Sequence, residues 1–163
     1  MELAFLSRDD LLVDLDTAVR SDDRLRLFFV FRLVGTDRLH DLIGDAVAEL
    51  LLAEAASSIA QAIGPRAVYY RPRRDELCGL VAGDLLGMEQ TLVSVLGLHN
   101  AEYATVGLAA GFGTVIVPRE ARTAGDAIAL ADLRVVGVMD RRTAVARGGS
   151  ERGRLYSRTA NAA

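Results

Sequence analysis

The segment between residues 25 and 34 constrains the fold most strongly. It reads LRLFFVFRLV, a run dense in aromatic and branched side chains, and such side chains favour extended, buried backbone. We therefore predict a buried strand here. The following segment, residues 36–63, is rich in alanine and leucine and contains no proline, which predicts helix with a break and a new start at Gly44 and Asp45. One buried strand followed by helices favours a mixed fold of helices and strands.

Further elements flank this pair. Asp9 and Asp10 precede the apolar positions of a short first helix, and AVYYR and LCGLVA predict two strands joined by the polar turn PRRDE. Residues 85–98 have helical spacing, and we expect His99 and Asn100 to end that helix.

The segment ATVGLAAGFGTVIVP predicts another strand, and Thr123 is the expected cap of a last helix. Gly107, Gly111 and Gly113 indicate a bulge or a close backbone approach in that strand. The order contains a βαββαβ core, which predicts an α+β domain with one mostly antiparallel sheet, its helices mainly over one face.

Composition limits the function classes. The 163 residues suit one globular domain, and the net charge of −3 argues against general binding to nucleic acid or membrane surfaces. One cysteine, Cys78, excludes an internal disulfide, and no secretion signal is visible, so we expect a cytoplasmic protein. All 19 basic residues are arginine, which either codon usage or a functional cluster explains.

Several motifs together resemble the GGDEF domains of the diguanylate cyclase family. The hairpin YRPRRDELCGLV is similar to the Gly-Gly-Asp-Glu-Phe signature, and VFRLVGTDRLHDLIGDAVAELLL aligns without gaps on the first strand and helix pair of that family. LSRDDLL, AGFGTVIVPREA and DAIALADLRV resemble its start, its second strand signature and its closing helix. The resemblance implies a nucleotide-cyclase palm, related to the ferredoxin-like fold, over residues 1–143. We expect residues 144–163 to form a flexible tail containing Arg, Gly and Ser.

The resemblance also implies an active site that has lost several groups. Diguanylate cyclases join two GTP molecules into cyclic di-GMP, with Mg²⁺ held by carboxylates. The two strand carboxylates correspond to Arg32 and Val34, so Asp75 and Glu76 are the remnants of the catalytic and metal-binding set. Arg73 and Arg74 replace the two glycines of the turn, where we expect them to strain it.

Other family positions are changed as well. The guanine-binding pair corresponds to His40 and Glu49, and the phosphate-binding pair to Met139 and Thr143, unless Arg141 or Arg142 compensates. The inhibitory motif Arg-x-x-Asp would fall at Gly64 and Ala67, so that site is absent as written.

Each of these residues has a simpler interpretation beside the functional one. Asp75 and Glu76 also suit a solvated turn, His40 a helix end, and Cys78 a small core position rather than a nucleophile. Arg32 either forms an ion pair with Asp75, which we favour, or joins Arg71, Arg73 and Arg74 in an anion pocket.

The sequence therefore predicts a degenerate, catalytically inactive GGDEF domain that acts as a signalling or interaction module. A receptor for GTP or a cyclic dinucleotide is the second hypothesis, with His40, Glu49, Arg32, Arg73 and Arg74 as candidate contacts. A residual cyclase is the third. We expect no resident metal or other cofactor, apart from Mg²⁺ if activity persists, and either a homodimer or an unidentified protein partner.

Overall fold

The computed structural model describes residues 3–135 of the chain. The elements in chain order are α1 (Arg8–Arg20), β1 (Arg26–Val34), α2 (Thr36–Ile43), α3 (Asp45–Ile63), β2 (Ala67–Arg73), β3 (Glu76–Ala82), α4 (Leu85–Glu102), a 3₁₀ turn (Ala104–Val106), β4 (Ala109–Val117) and α5 (residues 124–135).

The strands form one antiparallel sheet in the order β2-β3-β1-β4. β1 lies inside this sheet, with β3 on one side and β4 on the other, and every residue from Leu27 to Phe31 is buried. The predicted α+β class and βαββαβ core are confirmed by this element order and this antiparallel sheet. β1 is the apolar run identified from the sequence.

Helices cover both faces of the sheet, so the prediction of helices mainly over one face is wrong. One core contains Phe29 and Phe31 together with residues of α3 and α4. The other contains Phe28 and Val30 together with residues of α1 and α5. Successive side chains of a strand point to opposite faces, and β1 is apolar at consecutive positions, so both faces need a cover.

The predicted cap at Thr123 and the break at Gly44 are confirmed, whereas α1 begins earlier than Asp9 and Asp10 indicated, with Ser7 as its cap. Ser7 and Asp10 form a reciprocal capping box at the start of α1, and the Thr123 hydroxyl accepts a hydrogen bond from the backbone N–H of Asp126 at 3.0 Å. Gly44, with φ +79°, separates α2 from α3.

Two local predictions are corrected. α4 continues past His99 and Asn100 to Glu102, because Asn100 uses its side chain to bind the backbone of Ala110 instead of ending the helix. The arginines do not strain the hairpin turn, since no described residue other than glycine has a positive φ. The strand pairing instead shifts register between Tyr70 and Arg73, and this irregularity lets the chain turn without a residue of positive φ.

The close approach predicted for the glycines of the fourth strand is found at Gly113. A Cβ atom there would lie 2.1 Å from the carbonyl oxygen of Ala131, so β4 and α5 are in backbone contact. Gly107 instead ends the 3₁₀ turn with φ +72°.

β4 is an edge strand within the described residues, and side chains bind its outward backbone groups. These hydrogen bonds join Asn100 to Ala110, Arg134 to Thr114 and Glu120 to Ile116.

One described helix, α3, has the length and hydropathy of a membrane-crossing segment. Seven of its 19 residues are buried, as expected for a core helix.

Candidate functional site

Arg32 lies near the end of β1 and forms an ion pair with two carboxylates. Its Nη2 atom is 2.6 Å from Oδ1 of Asp132 on α5 and 3.5 Å from Oε2 of Glu76 on β3. The Arg32 and Glu76 side chains are 27% and 12% exposed, so solvent screens the pair only in part. The guanidinium thus offsets part of the negative charge of the two carboxylates and links α5 to the sheet.

The favoured ion pair between Arg32 and Asp75 is not formed, and the strand register explains why. Arg32 is the cross-strand partner of Glu76, so these two side chains share one face of the sheet. Asp75 lies one residue earlier, in the turn, where its carbonyl oxygen accepts a hydrogen bond from the backbone N–H of Leu33 at 2.8 Å.

Asp75 lines a different site, which we call the His40 cleft. The cleft has a volume of about 410 Å³ and lies beside the start of α2 and the hairpin turn. Its lining residues are Thr36, Asp37, His40, Asp45, Leu52, Arg74 and Asp75. The hairpin therefore separates its two acidic residues, with Asp75 at the cleft and Glu76 at Arg32.

Arg74 crosses from the turn to α3 at the edge of this cleft. Its Nη1 atom donates a hydrogen bond to Oε1 of Glu49 at 2.5 Å. His40 Nε2 is 3.6 Å from the same oxygen, and His40 Nδ1 is 2.9 Å from Oδ1 of Asp45. His40 and Glu49 thus lie close together, as the alignment implied. The Glu49 carboxylate already accepts a hydrogen bond from Arg74.

The four arginines considered as one anion pocket do not assemble. Arg32 is bound to Glu76 and Asp132, Arg74 is bound to Glu49, and Arg71 Nη2 donates to the carbonyl of Arg74 at 3.0 Å. Arg73 lines a smaller cavity of about 100 Å³ near Arg32.

Cys78 lies beside this smaller cavity as a core residue, 1% exposed. Burial and the neighbouring Glu76 carboxylate raise the pKa of its thiol, which disfavours the reactive thiolate. The prediction of a buried structural cysteine is confirmed.

The charges around the His40 cleft do not suit a triphosphate. Asp37, Asp45 and Asp75 contribute three carboxylates, against one guanidinium from Arg74. An anionic ligand would need a cation to enter such a site.

The residues at Arg32 do not fit Mg²⁺. The guanidinium lies against the two carboxylates, and residues 3–135 contain no group of three or more His, Cys, Asp or Glu side chains arranged to hold a metal ion. A guanidinium cannot ligate a cation and repels it electrostatically.

Sequence reasoning missed two partners, Asp132 and Asp45. Asp132 belongs to the segment DAIALADLRV, whose resemblance to the closing helix was a usable signal. Asp45 was interpreted only as a helix start. The predictions for Met139, Arg141, Arg142, Thr143 and the tail 144–163 lie outside the described residues.

The fold as a whole is similar to that of solved structures, although the sequence has no match among the family models or the curated proteins. Solved structures do match: a sensory box/GGDEF family protein from Caulobacter crescentus is 20% identical with a TM-score of 0.67, covering 84% of this chain and 94% of that chain. The GGDEF domain of YfiN (TpbB) from Pseudomonas aeruginosa is 16% identical with a TM-score of 0.68, covering 84% and 86%.

A third similar structure is the GGDEF domain of DgcB from Caulobacter crescentus, solved in complex with c-di-GMP. It is 15% identical with a TM-score of 0.68 and covers 82% of this chain and 84% of that chain. These similarities cover more than four fifths of the chain, so the chain has the fold of a GGDEF domain.

Proposed function

We propose that the protein is a non-catalytic module with the GGDEF fold, which acts in signalling by binding a protein partner. The observation that carries the proposal is the Arg32 guanidinium bound to Asp132 and Glu76. Phosphoryl transfer depends on positioning and on stabilising the charge of the transferred group. Arg32 pairs with Asp132 and Glu76 through Nη2, so its positive charge lies where it repels a metal ion and the two carboxylates are already engaged.

The acidic His40 cleft supports the same proposal. Asp37, Asp45 and Asp75 would repel a GTP triphosphate, and residues 3–135 contain no group of three or more side chains arranged to hold a metal ion that could offset this repulsion. Arg74 is the one guanidinium among residues 3–135 that lines the cleft, and it donates a hydrogen bond to Glu49.

The test is incubation of the purified protein with GTP and Mg²⁺, followed by chromatography for cyclic di-GMP. We expect no product, while an active diguanylate cyclase in parallel gives product and circular dichroism confirms that the test protein is folded. Product formation that Asp75→Ala abolishes would overturn the proposal. Asp23→Ala, in the exposed turn before β1, is the matched control.

A receptor for GTP or a cyclic dinucleotide is the second candidate. The His40 cleft offers space for part of a nucleotide, and the DgcB domain was solved in complex with c-di-GMP, whereas the carboxylates of the cleft oppose a triphosphate. Calorimetric titration with GTP, GDP and cyclic di-GMP tests it. Binding that Glu49→Ala weakens would support this function, and no heat at millimolar ligand would remove it. Glu54→Ala, on the same helix, is the matched control.

The proposed partner is either a second copy of this chain or a different protein. If the partner is a second copy of this chain, sedimentation velocity will show a dimer in the micromolar range. A monomer throughout that range would direct the search to a different protein.

A further inference from the structure

A second polar cavity lies at the other end of the sheet from the His40 cleft. It has a volume of about 350 Å³ and lies between α1 and the beginnings of β1 and β2. Its polar lining consists of Asp14, Thr17, Arg26, Arg66 and Tyr70, and its apolar lining consists of Val68, Leu80, Val81 and Ala82. We call it the Arg26 cavity.

Arg26 has no partner within the described part of the chain. Its Nε atom is buried and makes no hydrogen bond, and no carboxylate of residues 3–135 lies within 4 Å of its guanidinium. A buried donor without a partner costs free energy, and native proteins normally satisfy such groups. The second guanidinium at this cavity, Arg66, is exposed and is likewise not in an ion pair.

Asp14 lines the same cavity, but it does not form an ion pair with Arg26. Its Oδ2 atom accepts a hydrogen bond from the Tyr70 hydroxyl at 2.6 Å. Burial and this bond raise the pKa of Tyr70, so the phenol stays protonated and continues to donate. The cavity therefore contains two guanidinium groups without an ion-pair partner among the described residues and one carboxylate held by an internal hydrogen bond.

We propose that the Arg26 cavity binds a small organic anion through a single phosphate or carboxylate group. The planar guanidinium donors of Arg26 and Arg66 match the oxygen atoms of either group. The apolar part of the ligand lies on Val68 and Leu80. The Asp14 carboxylate repels a second negative charge, so we expect a ligand with a single anionic group.

This inference does not depend on the proposed function. The Arg26 cavity shares no lining residue with the His40 cleft, and it lies on the face of the sheet that α1 covers. The result of the cyclase assay therefore neither supports nor contradicts binding at the Arg26 cavity.

The test is an NMR titration of the ¹⁵N-labelled protein with phenyl phosphate, benzoate and benzyl alcohol, which share a ring and differ in charge. We expect phenyl phosphate, benzoate or both to shift the amide signals of Arg26, Val68 and Leu80 at millimolar concentration. The stronger of the two identifies the phosphate or the carboxylate as the preferred group. Benzyl alcohol should bind more weakly, because it lacks the charge.

Variants locate the binding. Arg26→Gln should weaken it by roughly tenfold or more, because a charged hydrogen bond is lost. Arg20→Gln, which changes an exposed arginine of α1 paired with Asp16, is the matched control and should leave it unchanged.

Three results would overturn the inference. They are no shift at these amides with either anion, equal binding of benzyl alcohol, and equal binding by the parent protein and Arg26→Gln. If Arg26→Gln does not fold, Arg66→Gln changes an exposed residue and takes its place, with a severalfold loss expected and no loss counting against the proposal.

Discussion

At the scale of single residues, Arg32 determines the chemistry of one end of the sheet. The position faces Glu76 across the strands and Asp132 on α5, so a carboxylate there would add a third negative charge. Arginine instead supplies the balancing charge from within the chain. Stability and catalysis therefore place opposite demands on this position.

We expect Arg32→Ala to lower the free energy of unfolding by about 1–3 kcal/mol, because two partly buried carboxylates lose their counterion. Urea denaturation measures the change. Arg20→Ala removes an exposed pair with Asp16 and should cost less than about 0.5 kcal/mol. Equal effects of the two substitutions would contradict the structural role of Arg32.

We expect buried His99 to make the free energy of unfolding depend on pH. It is 4% exposed, its ring stacks on Tyr103 at a centroid distance of 4.6 Å, and neither ring nitrogen has a hydrogen-bond partner among the described residues. Burial lowers its pKa below 6.5 in the folded protein. The unfolded chain thus takes up the proton first, so this contribution to stability is complete above pH 6.5 and is lost as the pH falls below it.

The measurement is the free energy of unfolding at about pH 8 and about pH 5.5. His99→Phe keeps the ring without the titrating nitrogens and should lose less stability between the two pH values than the parent protein. His40→Gln retains His99 and serves as the control. Identical pH profiles for the parent and His99→Phe would refute the role of His99.

Residue partners were the least predictable part of the site. Arg32 was identified from the sequence as an internal counterion, but the choice of Asp75 over Glu76 depended on register, which places one of two adjacent residues on the correct face. Asp132 comes from a helix 100 positions away in the sequence, and its hydrogen bond to Arg32 depends on how α5 packs.

At the scale of elements, the contact between β4 and α5 depends on Gly113. We expect Gly113→Ala to destabilise the fold by about 2 kcal/mol or more, because its Cβ would lie 2.1 Å from the Ala131 carbonyl oxygen and backbone atoms must move. Gly97→Ala, on α4, meets nothing within 4 Å and should stabilise the protein by about 0.5–1 kcal/mol. Thermal unfolding compares the two, and a stabilising Gly113→Ala would contradict the contact.

Local signals predicted where the elements begin better than where they end. The cap at Thr123 binds the backbone N–H of a residue three positions further on, so it was predictable from the sequence. At α1 the acidic residues indicated a helix start, but the cap itself, Ser7, was missed. The end of α4 is different, since Asn100 binds the backbone of Ala110 on a neighbouring strand. A tertiary contact of this kind overrides the preference of asparagine for a helix end.

At the scale of the whole molecule, β1 belongs to both cores. Phe29 and Phe31 face α3 and α4, whereas Phe28 and Val30 face α1 and α5. The long apolar run was enough to predict a buried central strand. The placement of helices on each face was not predictable from helix patterns alone, because α1 and α5 are far apart in sequence.

We expect the shared strand to give a single unfolding transition. Tyr70 reports on one core, and Tyr69 and Tyr103 report on the other. Near-ultraviolet and far-ultraviolet circular dichroism should therefore give superimposable urea curves. Two separate midpoints would show that the two layers unfold independently.

The hydrogen bonds along the outer edge of β4 bear on how this protein meets other molecules. An added strand would have to displace Asn100 from Ala110, Arg134 from Thr114 and Glu120 from Ile116 before it could pair. These hydrogen bonds therefore disfavour the pairing of another strand with the described edge of β4. Such pairing is the route by which exposed strands start to aggregate. A partner, including a second copy of the chain, is therefore not expected to extend the sheet at the described edge of β4.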